Sequence, residues 1–166
     1  MQLDEFYTYK NKLMKDLLTT PEIVHLIDEN ISMDDAYKLA YTKVFPAEFI
    51  PETVDDGQTI VLFDVDIRKS ETKTYLMPTL FIWVMAHKSK LRLDGGGVRT
   101  DALCSEIAKK LNGSMCYGLG ELDLYSVQRF APMTDYNGKV MAFRMLEVSK
   151  TFNPNKYIPS NRKAGI

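Results

Sequence analysis

The chain reads as an α+β domain, and three observations predict it. Apolar residues recur at helical spacing through the first forty positions. The period drops to two from Thr59 onward, in two separated pairs of strand-like runs. A single amphipathic stretch after Gly95-Gly96-Gly97 divides the pairs. The order β-β-α-β-β predicts a four-stranded, largely antiparallel sheet with the central helix across one face and a helical segment in front. At 166 residues, one domain of ordinary size is expected over 1–150. Its helical part is 1–45, its sheet-and-helix core 59–150, and 151–166 is expected to be a flexible tail.

Leu3, Phe6, Leu13, Met14, Leu17 and Leu18 set the first helix. Pro21 suits the first turn of a second helix, with Ile23, Val24, Leu26 and Ile27 as its stripe. Ser32 is an N-cap for a third, with Asp34 and Asp35 in its first turn and Ala36, Leu39 and Ala40 inward. Pro46 ends it. PAEFIPETVDDGQ, residues 46–58, reads as a connecting arm anchored by Phe49. Val61, Phe63, Val65 and Ile67 alternate with Ile60, Leu62, Asp64 and Asp66, a strand that leaves cover at its acidic end. RKSETK, 68–73, is a charged hairpin loop. The next strand spans Thr74 to His87. Pro78 requires an edge, a bulge or a break. LFIWVMA is apolar on both faces, as a doubly covered central strand would be.

A loop over 88–97 leads to a helix from Val98 to Leu111, striped by Leu103, Ile107 and Leu111. Ala102 and Ala108 permit close approach to the sheet, and Asn112-Gly113 is a stop. Leu122, Leu124 and Ser126 alternate with Asp123, Tyr125, Val127 and Arg129 in the third strand. Met141, Phe143 and Met145 alternate with Val140, Ala142 and Arg144 in the fourth. Asn137-Gly138 is the expected hairpin turn between them. The tail beyond Phe152 is rich in Asn, Pro, Lys and Ser.

Lys and Arg number 21 against 22 Asp and Glu, so a protein that works by neutralising phosphates along nucleic acid is disfavoured. Cys104 and Cys116 are too few for a disulfide framework and wrongly spaced for CxxC, which predicts two reduced thiols, Cys104 beside the buried face of its helix. The polar opening MQLDEFYTYKNK predicts no signal peptide, and the longest apolar run is too short to span a bilayer.

Candidate chemistry is sparse. His25 lies in an apolar stripe and reads as structural. His87 ends a buried strand and needs Asp94 or Asp101 as an orienting partner before it could be a base. Asp64 and Asp66 share a strand face and could hold Mg²⁺ with Glu121 or Asp123 as third ligand, the basis of an alternative reading as a metal-dependent nuclease. The triple glycine matches neither phosphate-loop pattern and reads as a conformational device at a tight turn. Lys88, Lys90 and Arg92 form a small positive surface, and Glu121 and Asp123 an acidic one. In a symmetric ring they could meet across a subunit boundary and set register; solvated loops explain them equally. Tyr7, Tyr9, Tyr41, Phe45, Phe49, Tyr117, Phe130, Tyr136, Phe152 and Tyr157 fall in apparent loops or arms, where aromatics anchor interfaces or fill a small core.

The run IWVMAHKSKLRLDGGGVRTDALCSEIAKKLNG, followed by LGELDLYSVQRFAPMTDYNGKVMAFRMLEV, resembles tailed-phage neck and tail-completion proteins of Gram-positive phages and prophages. In these, "HKS", "GGVRTD", "EI…LNG" and "DY.G…..R" recur around a strand-helix-strand core. The resemblance covers roughly 46–150, and LLTTPEIVHLIDEN is similar to the openings of several neck proteins. It implies a tail terminator: a hexameric ring on the last ring of tail-tube protein that stops tube growth and offers the head-docking surface. The implied partners are further copies of the chain, the tail-tube protein and a head-closure protein. No membrane and no specific nucleic-acid binding are implied, although DNA would pass through the ring. The implied location is the virion neck, with the host cytoplasm during assembly. The family supplies no catalytic residue, metal ligand or cofactor. By analogy the Lys88–Arg99 and Arg129–Lys139 loops, with Asp135 and Tyr136, join Glu121 and Asp123 as interface residues. A head-closure protein is the alternative, though the long helix after Gly97 disfavours the small β-barrel of that group.

Overall fold

Tyr9, Leu13 and Leu17, with Met14 and Leu18 beside them, put one buried stripe on helix α1, Leu3–Leu18. The hydroxyls of Thr19 and Thr20 donate back to the carbonyls of Lys15 and Asp16 and close its last turn. Pro21 then opens α2, Pro21–Ile27, which buries Ile23, Val24 and Ile27. The computed structural model describes residues 3–47, 57–69, 76–117 and 120–146. Most of the 46–58 arm with Phe49, the centre of the charged hairpin, and the tail with Phe152 and Tyr157 lie outside the described residues.

The expected third helix is a 3-10 helix, Met33–Leu39, capped by Ser32, whose Oγ accepts from the Asp35 amide at 3.3 Å. Its two buried residues, Ala36 and Leu39, are three apart, which fits the three-residue turn. After it Tyr41 takes a left-handed conformation (φ 59°), and Val44–Phe45 forms a short strand, β1. Two residues carry no readable period, so this fifth strand was not foreseen.

β1 pairs in parallel with β2, Thr59–Lys69. β2 runs antiparallel to β3, Leu76–His87, and β3 to β5, Tyr136–Leu146; β4, Glu121–Met133, closes the far edge, giving the order β1-β2-β3-β5-β4. The predicted antiparallel four are present, and the β2–β3 ladder extends into the expected loop, to Lys69 opposite Leu76. Pro78 pairs with Ile67, while the β3–β5 ladder ends one residue away at Thr79. Its missing N–H therefore falls where pairing on one side has stopped.

β3 is the doubly covered central strand. Leu80, Ile82 and Val84 join Val61, Phe63, Met141 and Phe143 beneath the helices. Trp83 and Met85 join Ile60, Leu62 and Tyr136 on the opposite face, with Phe45, Phe81 and Phe130 packed around them. Helix α3, Arg99–Leu111, crosses the first face and buries Leu103, Ile107 and Leu111. Asn112 ends it, and its side-chain carbonyl accepts the Leu124 amide at 2.8 Å, fastening the helix to β4.

Two strand expectations need correction. The turn between β4 and β5 is Thr134–Asp135, and Asn137 and Gly138 lie inside the ladder opposite Ala86 and Met85. Gly138 is there for space: a Cβ would stand 2.3 Å from the Val84 carbonyl oxygen. In β4 the ladder slips between Leu124 and Ser126, so Ser126 does not share a face with Leu122 and Leu124. The slip leaves Tyr125 exposed, and the Arg144 guanidinium lies 3.2 Å from its ring centroid.

Candidate functional site

Arg99 opens α3 and organises the surroundings of the 88–98 loop. Only 4% exposed, it donates from Nε to the Lys90 carbonyl at 2.6 Å and from Nη1 to the Leu26 carbonyl at 3.0 Å. Its Nη2 pairs with Glu29. One guanidinium thus joins the end of α2, the loop and the start of α3. It was expected at an interface; its side chain is buried within the subunit instead. No sequence signal marks this, because its carboxylate partner stands 70 positions away.

Beside Arg99 lies a cavity of about 240 Å³ lined by Asp28, Glu29, Lys43, Thr59 and Lys90, among others. Lys43 bonds Asp28 at 2.6 Å. Burial pushes the Asp28 carboxyl up, but the Lys43 bond, the Asn30 amide and the charges of Lys43 and Lys90 outweigh it and hold it below the usual range. Arg99, by hydrogen bond and charge, holds Glu29 below its usual range. None of the four residues Asp28, Glu29, Lys43 and Thr59 was singled out from the sequence.

The glycines serve the turn. Arg92 and Val98 bridge, the Gly96 amide donates to Leu93, and the Leu93 amide donates to Gly97. Gly96 and Gly97 have φ of 88° and 95°, a region that disfavours other residues. The turn stands in open space.

The structure brings two expected interface residues together in one chain: Lys88 bonds Asp135 at 2.6 Å, tying the loop to the β4–β5 turn. Tyr136, expected at an interface, is buried edge-on against His87 at 5.3 Å. Lys90, Arg92, Glu121, Asp123 and Arg129 are exposed. His87 Nδ1 lies 2.7 Å from Ser89 Oγ and caps the short helical turn Lys88–Lys90; neither Asp94 nor Asp101 contacts it among the described residues. Asp101 instead pairs with Lys139 at 2.6 Å. His25 is exposed, so it does not belong to the apolar stripe of α2.

Asp64 binds Lys10 at 2.7 Å, and the same oxygen accepts the Val65 amide. Glu121 and Asp123 sit on β4, with β3 and β5 between them and β2, so the sheet order separates the expected metal ligands. Among the described residues no cluster of three or more His, Cys, Asp or Glu is placed to hold a metal, and no helix is long and apolar enough to cross a membrane. Cys104 is buried on α3, its thiol pushed up to about 11 by burial; Cys116 is exposed and unpaired with it. Of the loop aromatics, Tyr9 and Tyr117 pack edge-to-face in the core at 5.2 Å, whereas Tyr7 and Tyr41 are exposed.

The sequence model of a family described as YomW matches residues 9–145, from the first buried turn of α1 to the last residues of β5. No curated protein matches the chain.

Proposed function

The chain belongs to the YomW family, and from that premise we propose that it is a structural protein of the phage virion, a non-enzymatic ring subunit that terminates the tail tube and offers the head-docking surface. The family name is one associated with phages and prophages. That association carries the reading, and the neck-protein resemblance over 46–150 sharpens it to the tail terminator. Its mechanism is geometric. A closed ring satisfies lateral contacts and leaves an open-ended polymer no site on which to grow.

Charge placement supports head-to-tail contact. The basic loop leaves β3 at His87, beside Tyr136, whereas Asp123 aligns through Arg144 with Thr79 toward the other end of the sheet. The two ends are separated by about 27 Å, at about 3.4 Å per residue. Lys90 and Arg92 therefore lie too far from Glu121 and Asp123 to pair within one subunit by that route, and opposite signs at opposite ends suit heterologous contacts around a ring. The exposed edge of β4 adds a boundary that a neighbour can cover.

Light scattering on the protein alone and with purified tail tubes tests this. A ring, or saturable capping of tube ends, is expected. A chain that never oligomerises, ignores tubes and binds portal-adaptor rings would overturn the terminator role in favour of head closure.

A further inference from the structure

The cavity beside Arg99 is built from donors that its own carboxylates do not exhaust. Asp28 takes Lys43 and Glu29 takes Arg99, one cation each. Lys90 is a third cation, close enough to act on both carboxylates, and forms no salt bridge among the described residues. Thr59 is 2% exposed and lines the cavity. Arg99 uses three of its five N–H donors on the partners named above. The local balance is three cations against two carboxylates, so a single negative group would neutralise the site.

We infer that this cavity binds a small oxyanion, a phosphate or carboxylate group, held by the Lys90 ammonium and the Thr59 hydroxyl over the buried Arg99 guanidinium. About 240 Å³ leaves room for one such group with water, since a single water needs only about 10–15 Å³. Asp28 and Glu29 repel larger polyanions and select for low charge. The site is complete within one subunit, so it goes beyond the ring assignment and stands or falls separately from it.

The test is an amide-shift titration of the full chain with inorganic phosphate and, separately, acetate at constant ionic strength. Saturable shifts are expected at residues 28–30, 57–59 and 90–99. Lys90→Ala should weaken binding about tenfold, as loss of one charge-assisted bond implies. Thr59→Val preserves shape and should weaken it measurably with the spectrum otherwise intact. Lys110→Ala, on the exposed side of α3, should have no effect. Response to phosphate alone assigns a phosphoryl ligand, response to acetate alone assigns a carboxylate, and equal response to both assigns an oxyanion site that accepts either. Absence of saturable shifts with either probe would overturn the site, as would shifts that Lys90→Ala and Thr59→Val alter no more than Lys110→Ala does. Because Arg99→Ala threatens the fold itself, it is not used.

Discussion

Replacing Arg99 with methionine keeps length and apolar volume but removes three hydrogen bonds, leaving the carbonyls of Leu26 and Lys90 without their donor. A loss of roughly 3 kcal/mol is expected in urea unfolding. Tyr9 is the opposite case. Its buried hydroxyl has no partner among the described residues, so Tyr9→Phe should leave stability unchanged or raise it by about 1 kcal/mol, read from the same measurement. Asp28 governs acid behaviour. Its folded pKa is depressed, so its contribution is present above the unfolded value of about 3.9 and is lost as pH falls through the folded value. Wild-type stability should therefore decline on acidification below about pH 4 more steeply than that of Asp28→Asn. At this scale the sequence was least legible. It flags residue types, but whether Arg99 faces solvent depends on Glu29 and Leu26, which its local spacing does not encode.

Elements were legible wherever the period was long. α1, α2 and α3 and the four long strands follow from apolar spacing; the helices and β3 bury a continuous face, whereas β4 buries only Leu122. Failures occurred where a local signal competed with the sheet. Asn137-Gly138 has the composition of a tight turn, yet the glycine is needed where β5 crosses close to the β3 backbone. Gly138→Ala should destabilise the chain by about 3 kcal/mol or more, since the blocking atom is a main-chain carbonyl that cannot rotate away. Gly95→Ala, with no atom within 4 Å and no positive φ, should be neutral or stabilising by about 0.4–1 kcal/mol. A denaturation series on the two variants checks both signs at once. The β4 slip at Tyr125 was illegible for a related reason: alternation continues in the letters while the ladder moves by one.

For the whole molecule, the α+β class and the antiparallel pairing were readable, and the separation of β2 from β4 was not, since strand order depends on how the pairs are joined. That order removes the Asp64, Asp66 and Asp123 grouping and leaves charges at opposite ends of the sheet. If those charges set register in a ring, Arg92→Glu should impair assembly and Asp123→Lys should impair it too, while mixing the two variants restores heterologous contacts. Sedimentation of the separate and mixed proteins reads this directly, and equal assembly by all of them would remove the charges from the account. The Arg99 clamp has a further consequence, for the chain as it is made. α1 and α2 leave the ribosome well before Arg99, which fastens the end of α2. The 70 positions from Glu29 to Arg99 take about 4–14 s at synthesis rates of 5–20 residues per second. In the early part of that interval the helices carry apolar stripes before β2 and β3 have been made, so the nascent N-terminal segment then exposes apolar surface that a chaperone can protect.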